Sequence, residues 1–367
     1  MGQTLPPGVQ RNVILAPYTT LELGGAAEYF YEATDEDTTR SVLAWAHRHG
    51  IPVSPLGAGS NVLVSDDGIP GLVLAIRLRG RRVLQENSRL TLEAAAGEPW
   101  DEIVERTVSL GGSGLECLSG IPGLVGATPV QNVGAYGQEI ADTLVSITAW
   151  DHIQQRQVTM SRESCQFGYR TSVFKQHPGR WIVLSVTFSI ARNQPPTLVY
   201  PELRRAIETL GATPSAQQIR QTVLALRRSK SMLLDPHDPN HRSAGSFFLN
   251  PVVSTAQAHA TQQRLIDAGA LQPADTLPQF PTASGDIKIP AAWLIERAGF
   301  HKGQRFGSMG ISSKHALCLV HHGGGTAQAL LQLAQHIQQC VLKLSGILLI
   351  PEPVYWGPPD QQVEHIS

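Results

Sequence analysis

Two stretches of nearly bare main chain are the first places in this sequence with room for chemistry. The turn Gly57-Ala58-Gly59-Ser60-Asn61 follows an apolar run at 51–56, and main-chain N–H groups in such a turn bind phosphate. It is not a dinucleotide-binding GxGxxG, because Val62 holds the last glycine position and no helical pattern follows. Alone, it reads equally well as a plain turn. The second stretch is Gly120-Ile121-Pro122-Gly123-Leu124-Val125-Gly126-Ala127, resuming at Gln131-Asn132-Val133-Gly134-Ala135-Tyr136-Gly137. Small residues at this density let a long planar ligand lie against the backbone. The amides of Gln131 and Asn132 offer donors and acceptors to a heterocycle such as isoalloxazine.

Three side chains stand out beyond these loops. Arg170 lies in Tyr169-Arg170-Thr171-Ser172, and Ser246 sits between Gly245 and the pair Phe247-Phe248. Glu352 is pinned between Pro351 and Pro353, a rigid setting for a carboxylate. Singly they read as a surface charge, an incidental hydroxyl and a loop acid. His237 and His241 have HxxxH spacing, but Pro239 between them and Pro236 before them rule out the helix that would align them on zinc. No GxSxG, Walker or HExxH motif occurs, and no metal is expected.

The elements that must carry these residues follow from period and punctuation. A strand at 26–33 leads to Thr34 and Asp37, a capping pattern, and then to Val42, Leu43, Trp45 and Ala46 at helical spacing up to Gly50. A strand at 51–56 completes a β-α-β unit and runs into the first glycine turn. Short strands follow near 62–64, 72–78 and 90–96. Pro99 opens a helix that buries Ile103, Val104, Thr107 and Val108. Strand signals return at 146–149, 157–160 and 181–190, and Ser215 caps a helix through Leu226. The run Asp235-Pro236-His237-Asp238-Pro239-Asn240 marks a linker and a domain boundary. Beyond it lie helices at 292–297 and 326–342 and a last strand at 347–350.

The 367 residues carry 29 Lys+Arg against 30 Asp+Glu, so no field of one sign points to nucleic acid or to a membrane surface. Four well-separated cysteines form no CxxC pair and read as reduced thiols. The polar N-terminus with Pro6 and Pro7, and the absence of a long apolar run, point to a cytoplasmic protein.

Taken in order, several segments resemble one family, the UDP-N-acetylenolpyruvoylglucosamine reductases. They are Thr19-Thr20-Leu21-Glu22-Leu23-Gly24-Gly25, the 57–61 turn, Gly120-Ile121-Pro122-Gly123, Gln131 to Glu139, Tyr169-Arg170-Thr171-Ser172, Gly245 to Pro251, and Pro351-Glu352. The resemblance implies an α+β chain: a two-subdomain FAD-binding module of the vanillyl-alcohol oxidase type plus a C-terminal α+β substrate-binding domain. The expected limits are 1–79 and 80–232 for the subdomains, with 351–367 returning to the first, and 233–350 for the substrate domain. It also implies non-covalent FAD held by Gly57, Ala58, Gly59, Ser60, Asn61, Ile121, Pro122, Gly123, Gly126, Ala127, Gln131, Asn132, Gly134 and Ala135. NADPH is the implied reductant, a UDP-sugar the substrate, and a monomer the implied state. By the same resemblance Arg170, Ser246 and Glu352 are catalytic, with Ser246 the proton donor. Tyr169, Tyr200, Lys230 and Asn250 hold substrate, with Arg228 and Arg242 as alternatives to Lys230. Pro353 replaces the family's usual valine, and His321 or His322 its usual asparagine. A flavin oxidase on the same module and a non-catalytic sugar-nucleotide sensor are the competing functions.

Overall fold

The structure, a computed structural model, describes residues 4–194, 198, 200–208, 214–282 and 284–357. The chain divides into two compact units: the first comprises 1–13, 27–59 and 70–234, the second 14–26, 60–69 and 235–367.

In the first unit a four-stranded sheet has the order Gln10–Ile14, Ala26–Ala33, Ile69–Ile76, Val53–Leu56. The helix Glu36–Arg48 follows the second of these strands and turns Val42, Leu43, Trp45 and Ala46 inward. Its cap is Asp35, whose carboxylate accepts from the Thr38 N–H at 2.9 Å, so the Thr34 cap read from the sequence is displaced by one residue. Asp35 is extended, at φ -137° and ψ 156°, and offers an oxygen with the same reach. After Gly50, at φ 65°, the Val53–Leu56 strand pairs in parallel with Ile69–Ile76 and delivers the chain to the 57–61 turn.

A larger antiparallel sheet has the order Arg156–Ser161, Leu144–Asp151, Trp181–Arg192, Arg89–Ala95, Arg81–Gln85. The helix Trp100–Ser109 buries Ile103, Val104, Thr107 and Val108 as its pattern required. Trp100 and Phe188 are fully buried, with ring centroids 5.8 Å apart. Side chains of this size each stabilise a core by roughly 3–5 kcal/mol relative to alanine. The Trp100 indole N–H also donates to the Leu118 carbonyl at 3.0 Å, tying the core to the chain that enters the second glycine-rich stretch.

In the second unit, Ser243–Ser246, Cys318–His321, Met309–Ile311 and Arg305–Phe306 form a sheet in that order. The helix Ala327–Ser345 buries Leu330, Ala334, Ile337 and Val341, three to four residues apart. Residues 347–350, expected as a strand, carry no ladder. Ile347 and Leu349 are buried at period two, which is all that the sequence pattern reports. The Leu349 carbonyl accepts instead from the Gln338 amide at 2.7 Å. The strand comes later, at Val354–Trp356, paired in parallel with Val62–Val64.

Among the described residues no helix is long and apolar enough to cross a membrane.

Candidate active site

The two glycine-rich stretches meet within the first unit. A Cβ built on Gly57 would stand 3.4 Å from the Ala127 Cβ, and the Gly57 carbonyl accepts from the Arg77 guanidinium at 3.1 Å. Not every bare position serves a ligand. A Cβ on Gly126 would lie 2.5 Å from the Ala96 Cβ and 3.1 Å from its Cα, so packing of the protein on itself requires that glycine, while Gly120 is held at φ 69°, a conformation that favours glycine. Gly126 N–H donates to the Ala96 carbonyl at 2.9 Å, seating the loop on the end of the Arg89–Ala95 strand. What remains open is a row of small residues: Gly57, Ala58, Ile121, Pro122 and Gly123 are half-buried and Ala127 is exposed. Bare, half-exposed backbone from two abutting loops fits a long planar cofactor with phosphates.

This bed has an anchor that the sequence did not disclose. Asp101, in the first turn of the Trp100–Ser109 helix, accepts from Gly120 N–H at 2.6 Å. It also takes a bidentate pair from Arg220, at 2.6 and 2.8 Å, whose side chain is almost completely buried. Burial of the carboxyl, the largest single influence, pushes its pKa up. The bonds from Arg220 and Gly120 and the charges of Arg220 and Arg227 outweigh it and hold the group below its ordinary value. A carboxyl depressed in this way contributes stability above its unfolded pKa of about 4 and loses it as pH falls through the lower folded value. Asp101→Asn is expected to lower the unfolding free energy by about 0.5–1.5 kcal/mol near neutrality, solvent screening of the 40% exposed carboxylate reducing the loss. Urea titrations of wild type and variant should converge in acid, and a gap unchanged by acid would contradict the assignment.

Asn132 is buried, at φ 46°. Its amide N–H groups donate to Glu139 at 2.7 Å and to the Gly168 carbonyl at 3.2 Å, and its oxygen accepts from Ala141 N–H at 3.0 Å. The side chain therefore braces the loop, and the main-chain N–H donates to the Pro129 carbonyl at 3.3 Å. Gln131 is half-buried. Gly134 and Ala135 pair with Glu139 and Gln138 in a short hairpin. Ser60 and Asn61 continue the first turn within the second unit, where Asn61 accepts from Val354 N–H at 2.9 Å.

Arg170 is bound to the bed directly. Its guanidinium donates to the Gly134 carbonyl at 2.7 Å, and its backbone is held at φ 55°, a conformation that costs an L-residue roughly 1–3 kcal/mol and persists only where the surroundings impose it. Tyr169 beside it is exposed, with the Arg170 guanidinium 5.9 Å from its ring. Tyr200 is 45% exposed, and its ring meets that of Tyr136 edge-on at 5.5 Å. Burial pushes the Tyr136 hydroxyl up to about 12. Lys230 pairs with Glu202 at 2.7 Å. Of its two alternatives, Arg228 is exposed and Arg242, in the second unit, pairs with Glu22 at 2.5 Å.

In the second unit Ser246 and Glu352 come onto neighbouring segments. Ser246 ends the Ser243–Ser246 strand, whose register against Cys318–His321 is broken by a bulge at Gly245, φ 74°. The next residues turn to another partner: Leu249 N–H donates to the Ile350 carbonyl and Glu352 N–H to the Phe247 carbonyl, both at 2.9 Å. Glu352 is thereby fixed against the residue adjoining Ser246, while its own carbonyl accepts from the Asn61 amide at 3.3 Å. Among the described residues the Ser246 hydroxyl has no hydrogen-bond partner. Asn250 accepts from Ala291 N–H at 2.9 Å and so helps to start the Ala291–Arg297 helix.

Residues 27–153 match the model of an FAD binding domain. With a half-exposed glycine bed inside that span, they define the chain as an FAD-dependent oxidoreductase. Residues 237–356 match the UDP-N-acetylenolpyruvoylglucosamine reductase C-terminal domain. The UDP-N-acetylenolpyruvoylglucosamine reductase of Thermobifida fusca is 43% identical over 350 residues, 95% of this chain and 98% of its own length. That of Pseudomonas aeruginosa is 40% identical over 347 residues, covering 94% and 98%. The crystal structure of the Thermus caldophilus reductase is similar with a TM-score of 0.63 at 25% identity, covering 95% and 99%. This chain belongs to the UDP-N-acetylenolpyruvoylglucosamine reductase family. Its α+β fold is the FAD-binding module expected from the sequence, followed by the family's C-terminal domain.

Proposed function

We propose that this enzyme reduces the enolpyruvyl ether of UDP-N-acetylglucosamine enolpyruvate to the lactyl ether of UDP-N-acetylmuramate, with NADPH as reductant, as a cytoplasmic monomer in peptidoglycan precursor synthesis. Gly57, Ala58, Gly59, Ser60 and Asn61 with Ile121, Pro122, Gly123, Gly126, Ala127, Gln131, Asn132, Gly134 and Ala135 would hold FAD without a covalent bond, largely through main chain. Bound there, FAD would supply the two-electron chemistry that couples NADPH to reduction of the vinyl ether.

The residues of the chain handle the charge and the proton. Hydride at the terminal carbon leaves an electron pair on the carbon that bears the ether oxygen and the carboxylate, spread into an enolate. Arg170 presents permanent positive charge in a planar fork suited to that carboxylate, and fixed donors aimed at developing charge are among the strongest catalytic devices. Glu352 would add a further donor in its protonated form, which a neighbouring substrate carboxylate favours. Ser246 gives its hydroxyl proton to the carbanionic carbon, completing addition of one hydride and one proton across the double bond. A hydroxyl is a weak acid, and it suffices here because a carbanion is a far stronger base than water. Tyr169, Tyr200, Lys230 and Asn250 would hold the UDP-sugar.

The observation that carries this reading is the backbone pairing that fixes Glu352 against the residue next to Ser246. An acid and a hydroxyl held on adjacent segments suit proton delivery to the carbon that bears a substrate carboxylate. The purified protein is expected to be yellow, with about one FAD per chain released by denaturation. A colourless protein with no affinity for added FAD would remove the reading entirely.

A further inference from the structure

We infer that Glu202 is the counter-ion that a substrate diphosphate displaces from Lys230, which makes it a specificity-determining residue of the sugar-nucleotide site. The inference deepens the function proposed above and rests on Lys230 being the diphosphate ligand.

Lys230 follows the last turn of the Ala216–Ser229 helix, with its N–H on the Arg227 carbonyl at 3.1 Å. Its ammonium stands 2.7 Å from each carboxylate oxygen of Glu202. Glu202 lies two residues beyond Tyr200, in the helix Pro201–Ile207. Leu203 and Ile207 of that helix pack with Ile219 and Val223 of the longer one in a buried cluster. The backbones that carry the pair are thus fixed by the core, while the two side chains are 29% and 34% exposed and free to change rotamer.

The Lys230 ammonium already faces both carboxylate oxygens of Glu202, two contacts for its three hydrogens, so an incoming diphosphate does not meet a free cation. Carboxylate and diphosphate compete for the same ammonium hydrogens, and the two anions side by side would repel. Binding therefore exchanges one anion for another, and the Glu202 side chain swings into solvent. The exchange favours a ligand with more than one charge, because a singly charged anion gains little by replacing an equally charged carboxylate. Pairs exposed to this extent are worth a factor of about 1.5–5 in an equilibrium, so the competition tunes affinity without abolishing it. Glu202 also adjoins both aromatic residues of the site: its charge acts on Tyr136 and on Tyr200, and that of Arg227 acts on Tyr136 in the opposite sense.

The test is calorimetric titration of the FAD-loaded enzyme with UDP in four forms: wild type, Glu202→Gln, Lys230→Met and the double variant. Glu202→Gln is expected to tighten UDP binding by about two- to fivefold. Lys230→Met should weaken it tenfold or more, and the double variant should match Lys230→Met, the gain having vanished with the ammonium. Glu202→Ala should reproduce the gain of the glutamine variant. If Lys230→Met weakens binding while both Glu202 variants leave it unchanged or weaken it, Glu202 organises the lysine instead and the exchange is overturned. If Lys230→Met leaves UDP affinity unchanged, the assignment of Lys230 itself has failed, and the exchange falls with it.

Discussion

Ser246→Ala should retain reduction of the bound flavin by NADPH and lose reduction of the enolpyruvyl substrate by about 10²–10⁴-fold, the usual worth of a positioned proton donor. The split follows from where Ser246 stands. It ends a strand at a bulge, one residue from the carbonyl that accepts from Glu352 N–H, and it makes no hydrogen bond among the described residues. Removal of its oxygen leaves no buried group unsatisfied, so the unfolding midpoint should move by no more than about 0.5 kcal/mol in free energy. Stopped-flow absorbance follows the two half-reactions separately. A variant that turns substrate over at the wild-type rate would transfer the proton to another residue, whereas loss of the NADPH half-reaction would implicate Ser246 in cofactor binding.

Arg170→Lys should cost about 10²–10³ in kcat/KM with FAD content unchanged. Lysine keeps the charge but cannot do both tasks that the guanidinium geometry allows. One nitrogen of Arg170 is bound to the Gly134 carbonyl at 2.7 Å, and a guanidinium carries five N–H donors in a planar fork. A lysine ammonium is a single point charge. Bound to Gly134 it would be withdrawn from substrate, and released from Gly134 it would lose its anchor. The backbone at φ 55° marks a residue whose position is imposed by its surroundings. Steady-state kinetics check this directly, and a loss under tenfold would mean that charge alone suffices.

Local pattern accounts for most of what was legible beforehand. Helical spacing located Glu36–Arg48, Trp100–Ser109 and Ala216–Ser229, and the capping box at Ser215 is present. The ordered glycine motifs pointed to the family. What escaped notice depends on contacts between distant parts of the chain. Asp101 and Arg220 are 119 residues apart, and neither has a local signature. Glu202 has meaning only because a buried cluster brings its helix against the one that ends at Lys230. The same limit applies to Gly126: a missing side chain reads identically in sequence whether a cofactor or Ala96 needs the space. Period two at 347–350 reports burial of alternate residues, and burial does not require a ladder.

The most direct measurement is double-mixing stopped-flow on the wild-type enzyme without oxygen. NADPH in the first mix should bleach the flavin absorbance, and UDP-N-acetylglucosamine enolpyruvate in the second should restore it, with one lactyl ether formed per NADPH consumed. Absorbance that stays bleached with that substrate and returns only on admission of oxygen would identify an oxidase instead and contradict the proposed reaction.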